Sequence, residues 1–372
     1  MSPRRSRSHV PTVEPGEMLR QRLRNQRLVG RPFQRPEEVV GWLGAVQAQD
    51  YSAAKWGVGQ RTAKATDADL DRLCDAGAIL RTHVMRPTWH FVTPGDIRWL
   101  LALTAPRVRA ILARDDRALD IEGAVRARCA RLVERALRDG RSLTRSELAA
   151  VLSEGGVPCR GRRLAHLAAH LELDALVCSG PRRGKQFTYA LLDERVAPVK
   201  RLSREEALAT LVERFFTSHG PATARDCAWW SGLRVAEVRT GIDAVGRRLE
   251  QVDIGGRQSW HAGWAEGRAR STVAHLLPNY DEYLIAYVER GALVDALVAS
   301  SDPKLIFSNV VTIDGRVVGT WRRVTGKKAI AFRTTLRRAL DAREQAAVDA
   351  AVRRYERFMG VPVDLARDAV GR

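Results

Sequence analysis

Residues 142–192 read SLTRSELAAVLSEGGVPCRGRRLAHLAAHLELDALVCSGPRRGKQFTYALL. Thr144 stands three residues before Glu147, the spacing of a capping box, in which a hydroxyl and a carboxylate satisfy backbone N–H groups at a helix start. Leu148, Val151 and Leu152 follow at helical spacing. The stretch GRRLAHLAAHLEL, 161–173, reads as a second helix. Two apolar runs then flank the turn GPRRGKQ, 180–186, which predicts a β-hairpin. Helix, turn, helix, hairpin is the order of a winged helix, whose second helix enters the major groove of DNA.

The order recurs. SREEALATLVERFFTSHG, 203–220, opens on a second capping box, Ser203 with Glu206. TARDCAWWSGL (223–233) and RVAEVRTGIDAVGRRL (234–249) read as two short helices, and EQVDIGGRQSWHAG (250–263) as a hairpin around Gly255-Gly256. The first hundred residues fit the same plan more loosely. Helices are predicted over 16–28, 36–47 and 66–78, and strands within 79–92. Helices over 93–114 and 124–140 lead into the second copy. Further on, KLIFSNVVTIDGRVVGTWRRV (304–324) alternates around Asp314-Gly315, a strong hairpin signal. KKAIAFRTTL (327–336) continues that sheet, and AREQAAVDAAVRRYERFMG (342–360) closes the chain as a helix. The predicted fold is therefore mainly α with β-hairpin wings. It has a basic disordered tail over 1–14, winged helices over 15–95, 96–197 and 198–268, and a β-rich domain, barrel or sandwich, over 269–372.

The 372 residues include 62 Lys and Arg against 43 Asp and Glu, a net charge of +19. A folded chain this basic attracts polyanions. The five cysteines form no CxxC pair, which fits a reducing cytoplasm rather than a disulfide framework or a thiolate zinc site. The basic start MSPRRSRSHV is followed by no apolar run, and no stretch is apolar for long enough to span a membrane.

Several motifs carry less than they suggest. GPRRGKQ has three residues between its glycines, not four, and Gln186 where a phosphate loop needs Ser or Thr. His166 and His170 share a helix face, but no glutamate follows His166 and no third ligand is marked, so they read as structural. Trp229, Trp230 and Trp260 read as core. Arg162 and Arg163 open the second helix of the 142–192 unit and, with Arg182, Arg183 and Lys185 of its hairpin, are the candidate DNA contacts there. In RPTWHFV, 86–92, period-two alternation would put Arg86, Thr88 and His90 on one face of a strand, a set able to address phosphate or sugar.

The stretch WLGAVQAQDYSAAKWGVGQR, 42–61, brackets Ala48 with Gln47 and Gln49. On a continuing helix the two amides would diverge; in extended chain they point the same way. Paired amides can converge on a water, since each offers donor and acceptor atoms. The following segment has weak helical signals and two glycines, which favours an ending there.

With RPTWHFV, LPNYDEYLIAY (277–287) and VVGTWRR (317–323), this stretch resembles the AlkZ-type bacterial DNA glycosylases, a family that also holds the AlkX (YcaQ) branch, over about residues 15–365. The resemblance implies three winged helices and a C-terminal β-barrel in a C shape around DNA. It implies excision of N7-alkylated guanines, including bulky adducts and crosslinks from genotoxic natural products, in repair or self-resistance. The family's Gln-aliphatic-Gln motif falls on Gln47-Ala48-Gln49, and Gln49 places the chain on the AlkZ side, because the other branch has aspartate there.

An N7-alkylguanine is cationic and leaves neutral, so hydrolysis needs a positioned water more than a strong acid. Two glutamines can hold that water; Asp50, the nearest carboxylate, is the alternative base. No lysine or terminal amine is marked as a nucleophile, so the expected enzyme is a monofunctional glycosylase. It is expected to act as a cytoplasmic, nucleoid-associated monomer on double-stranded DNA without cofactor or metal. The competing reading is a non-catalytic winged-helix transcriptional regulator.

Overall fold

The computed structural model describes residues 10–264, 272–293, 307–326 and 329–367. Helices make up about half of it, and the strands form four separate small sheets. The first unit holds α1 (Pro15–Asn25), α2 (Pro36–Leu43), β1 (Val46–Gln47), α3 (Tyr51–Gly59), α4 (Asp67–Ala76), β2 (Leu80–His83) and β3 (Trp89–Val92), with sheet order β1-β3-β2. α5 (Pro94–Ala118) and α6 (Gly123–Leu137) lead to β4 (Ser142–Thr144), α7 (Arg145–Glu154), α8 (Gly161–Leu173), β5 (Val177–Arg183), β6 (Gln186–Leu191) and the short α9 (Leu192–Arg195).

Helices α10 (Arg204–Ser218), α11 (Ala224–Ser231) and α12 (Val235–Val245) precede the hairpin β7 (Glu250–Ile254) and β8 (Arg257–His261). The last part holds β9 (Ala274–Leu277), α13 (Glu282–Ile285), β10 (Val310–Ile313), β11 (Arg316–Thr325), β12 (Ile330–Leu336), α14 (Ala342–Met359) and β13 (Val363–Arg367).

Local signals hold where they are self-contained. Thr144 and Ser203 accept from the N–H groups of Glu147 and Glu206, as the capping boxes require. Asp314 and Gly315 have φ of 47° and 83°, the left-handed pair of a tight hairpin, and Ile313 pairs with Arg316 across them.

Other expectations change. Residues 1–9 lie outside the described residues, but the expected tail is shorter than 14, because Val13 N–H donates to Asp253 O and Asp253 N–H to Pro11 O, both at 2.8 Å. Lys304 to Ile306, Lys327 and Lys328 also lie outside them. The helix expected over 36–47 stops at Leu43, where Gly44 turns the chain with φ 83°.

The supposedly weak segment after Gln49 is helix α3, capped by Asp50, whose carboxylate accepts from Ala53 N at 3.0 Å. Its glycines do not end it; they let neighbours come close. A Cβ on Gly59 would lie 2.3 Å from the Phe358 ring.

The expected C-terminal barrel is an open sheet, order β13-β12-β11-β10-β9, in which the outer strands do not meet. Helices close its apolar face instead. Trp56 of α3 packs edge-on to Tyr355 of α14 at 4.9 Å, and Trp321 stacks on Phe332 at 4.9 Å. This cluster is one core shared by the first unit and the sheet. A second core joins α1, α5 and the α10–α12 unit to the 277–293 segment, while α6–α8 and their hairpin enclose a third of their own.

The first unit and the C-terminal part are also locked by charge. Arg61 donates through Nη1 and Nη2 to Asp281 Oδ2 and Oδ1 at 2.8 and 2.7 Å, and both side chains are 1% exposed. The guanidinium is completed by Gln26 O, Gln26 Oε1 and Gly57 O. Such a pair tolerates joint replacement better than loss of one partner, which strands a buried charge. Asp281→Asn is expected to lower unfolding free energy by about 3–5 kcal/mol. In urea titrations the double variant Arg61→Met/Asp281→Leu should lose less than either single one; additive losses would show that the pair carries no coupling.

Candidate active site

Gly44 releases the chain from α2 into β1, where Gln47 lies opposite His90 and Ala48 N–H continues the ladder to Trp89 O at 2.7 Å. Val46 and Ala48 face the core shared with the sheet, so Gln47 and Gln49 share the other side, as extended chain requires. The two amides are not equivalent. Gln47 is 5% exposed, whereas Gln49 and Asp50 are exposed. Gln47 Oε1 accepts from Arg86 Nη2 at 2.7 Å. A guanidinium only donates, so this contact fixes the amide's orientation and leaves its NH2 for other partners. Gln49 Oε1 has only a long contact, 3.4 Å, from Trp89 N–H.

Behind Gln47 sits a carboxylate. Glu282, 1% exposed, accepts the Gln47 N–H at 2.9 Å through Oε1 and the Trp230 indole N–H at 2.7 Å through Oε2. Burial alone would push Glu282 up. His219 at 3.5 Å, the Arg86 guanidinium and the Gln47 N–H outweigh it and hold the carboxyl below its usual value. Arg86 Nη1 donates to Trp230 O at 2.9 Å. One buried network thus fixes both the backbone and the side chain of Gln47. Glu282, Trp230 and His219 escaped the sequence reading. The available signal was the pair of adjacent carboxylates in the apolar run LPNYDEYLIAY, since unpaired charges do not belong in such a run.

The 86–92 segment differs from the expected strand. Strand β3 begins only at Trp89, and Arg86, Pro87 and Thr88 form a turn, so no polar strand face exists. Arg86 and His90 point into the network rather than outward. His90 Nδ1–H donates to Thr88 O at 2.9 Å, which leaves Nε2 to accept from Arg86 at 3.3 Å. The Thr88 hydroxyl has no protein partner among the described residues. Burial, then the Arg86 charge, pushes His90 down to about 3, so the ring is neutral and does not serve as a proton donor near neutrality.

Asp50 caps α3 and takes a 3.4 Å contact from Asn279 Nδ2, so its carboxylate has a structural task at the site's edge. The basic candidates of the second unit are mostly engaged. Arg162 pairs with Asp115, and Arg163 donates to Asp120 O at 3.0 Å. Arg182 forks onto Asp75 at 3.0 and 2.8 Å and also meets Asp71, and Arg183 forks onto Glu147 at 2.7 Å. Lys185, in the exposed hairpin turn, has no protein partner among the described residues.

His166 Nδ1 and His170 Nε2 flank the Asp116 carboxylate at 2.8 and 2.9 Å and tie α8 to α5. Trp230 is core, but Trp229 is 47% exposed, contrary to the expectation for both.

His275, like His90, is driven by burial to about 3. Both are depressed from 6.5, so folding favours their neutral forms. Their contribution is complete above pH 6.5 and is lost as pH falls toward 3. Below 6.5 each should remove about 1.4 kcal/mol of stability per pH unit. Urea titrations at pH 7.5, 6.0 and 5.0 should show this slope, and His90→Asn should flatten it; an unchanged slope would mean His90 protonates freely in the fold.

A family model described as DNA glycosylase AlkZ-like matches residues 40–358, from α2 to the end of α14. The interstrand DNA cross-link repair glycosylase of Streptomyces sahachiroi is 28% identical over 322 residues, covering 82% of this chain and 86% of that protein. The solved Streptomyces sahachiroi DNA glycosylase AlkZ superposes with a TM-score of 0.78 at 24% identity, covering 95% of this chain and 100% of that one, so the two share a fold. The matched span contains the glutamine pair, the Arg86 turn and the Glu282 segment together, and the chain belongs to the AlkZ-like DNA glycosylase family.

Proposed function

We propose that this DNA glycosylase hydrolyses the N-glycosidic bond of N7-alkylated guanine in double-stranded DNA, bulky or crosslinked adducts included, with Gln47 and Gln49 placing the water. The observation that carries the reading is the Arg86–Gln47 bond, which leaves the Gln47 NH2 free to hold a water oxygen. The Gln49 carbonyl, with only a 3.4 Å contact, is free to accept that water's hydrogen.

In the reaction the water oxygen bonds to C1′ as the C1′–N9 bond breaks. The bonding pair goes to the base, which leaves neutral because it carried a cation beforehand. Neither amide can take the proton, which passes to solvent. The site therefore suits a substrate with a built-in leaving group and suits a neutral base poorly. The cross-link repair named for the Streptomyces relative is consistent with bulky substrates and with a role in repair or genotoxin self-resistance.

Further parts of the proposal follow the same reading. The units over 15–95, 96–197 and 198–268 act as tandem winged helices, and 269–372 as the fourth domain, the whole curving around duplex DNA as a cytoplasmic monomer. Lys185 and the exposed arginines of the second unit contact phosphate, with Arg162, Arg163, Arg182 and Arg183 doing so by exchanging their protein partners. Arg86, Thr88 and His90 act through Gln47 rather than on DNA directly.

Release of 7-methylguanine from a duplex oligonucleotide tests the assignment. Gln47→Ala and Gln49→Ala are each expected to slow single-turnover release by about 10²-fold or more. Asp50→Ala should lose about 1 kcal/mol of stability, as capping losses do, with release largely intact. If Asp50→Ala abolishes release while both glutamine variants keep full rates, Asp50 is the base. If the wild-type chain binds duplexes and releases no base, the regulator reading replaces this one.

A further inference from the structure

We propose that the cavity between the first two units receives the alkylated guanine itself, gripping its six-membered ring and leaving its five-membered ring at the mouth. This rests on the N7-alkylguanine reading above. The cavity measures about 560 Å³, within the usual range for small-molecule sites, and its walls come from both units. Trp89 and Arg81 line it from the first unit, Phe187 and Glu172 from the second.

The Arg81 guanidinium lies over the Trp89 ring at 4.3 Å and over the Phe187 ring at 4.8 Å, and Arg81 Nε donates to Ala48 O at 3.0 Å. Trp89 N–H in turn reaches Gln49 Oε1. Trp89 and Arg81 thus connect the cavity wall to the glutamine segment, although neither glutamine lines the cavity itself. Phe187 is 39% exposed, a large ring left at the surface beside this opening.

The polar group that selects a ligand is Glu172. It is 2% exposed, and its Oε2 takes both the backbone N–H of His83, at 2.8 Å, and the His83 ring Nδ1. Its Oε1 has no protein partner among the described residues. A carboxylate oxygen left open on the wall of such a cavity asks for N–H donors on a flat molecule. Guanine offers two in line, N1–H and the N2 amino group; adenine presents an acceptor at N1. A carboxylate also favours a cationic base over a neutral one.

The orientation follows from the chemistry of the base. With N1 and N2 on Glu172, the ring that carries N7 and N9 faces outward. The glycosidic bond then lies toward Gln49, and a substituent on N7 projects out of the mouth, so a large adduct need not enter. Lys185 and Arg145, both exposed on the lining, stand where the flanking phosphates would pass. Extrahelical reading by stacking and edge hydrogen bonds is how enzymes address an unstacked base.

Calorimetric titration of the full chain with free 7-methylguanine, and with 7-methyladenine as control, tests this. The expected result is binding of 7-methylguanine about tenfold or more tighter than 7-methyladenine. Glu172→Gln should erase that preference, and Phe187→Ala, which removes a ring resting on Tyr51 and Arg81, should weaken both bases by about tenfold. No binding, equal binding of the two bases, or indifference to Phe187→Ala overturns the proposal. Release of 7-methylguanine from duplex DNA is measured on the same preparation. Release without cavity binding removes this proposal and leaves the function standing; cavity binding without release removes the function, and with it the cavity's role as a substrate site.

Discussion

The Arg61–Asp281 fork is the contact on which the geometry of the site depends. It joins the end of α3 to the turn before α13, two segments 220 positions apart in the chain, and does so with every guanidinium group engaged. Asp281 also caps α13 by accepting from Tyr283 N–H. With Asp281 held, the next residue, Glu282, is delivered beneath Gln47. The fork therefore sets a distance, that from the C-terminal part to β1, which no local signal controls. A slip of the turn would withdraw the acceptor of the Gln47 backbone and the counter-charge of Arg86 together.

Electrostatics divide sharply between surface and interior. The chain carries +19 overall, but at the site two arginines, Arg61 and Arg86, meet two carboxylates, Asp281 and Glu282. The balanced interior lets a guanidinium orient an amide without placing net positive charge beside the sugar that, in the proposed reaction, becomes cationic. The His90 ring, kept neutral by burial, adds none. In a low-dielectric site such fixed dipoles act strongly and need no reorganisation during reaction.

Much of the architecture was legible because its signals are local. Capping boxes at Thr144 and Ser203 and the Asp314-Gly315 turn each decide their own few residues. The glutamine pair was legible as a pattern, but its extended conformation was not: the segment after Gln49 that suggests it is in fact helix α3, whereas Gly44 is what ends α2. What stayed hidden was decided by distant partners. Gly57 and Gly59 read as helix breakers, but Asp281 and Phe358 are what require them to be small. Arg86 and His90 looked like a solvent face because their burial depends on Trp230 and Glu282, far along the chain. Arg182 looked free because Asp71 and Asp75 come from the first unit, and Arg162 because Asp115 stands 47 positions earlier on α5.

The second unit's hairpin stands mainly on a core of its own, with Cys178 reaching the core that also holds Leu277 and Val310 of the C-terminal sheet. Gln186 and Lys185, both exposed, can therefore be exchanged without disturbing the packing under Gln47, whereas Phe187 reaches it through Tyr51 and Phe91. If the proposed cavity takes the base, such a division would let its outer wall be remodelled at one β-turn while the glutamine strand keeps its packing.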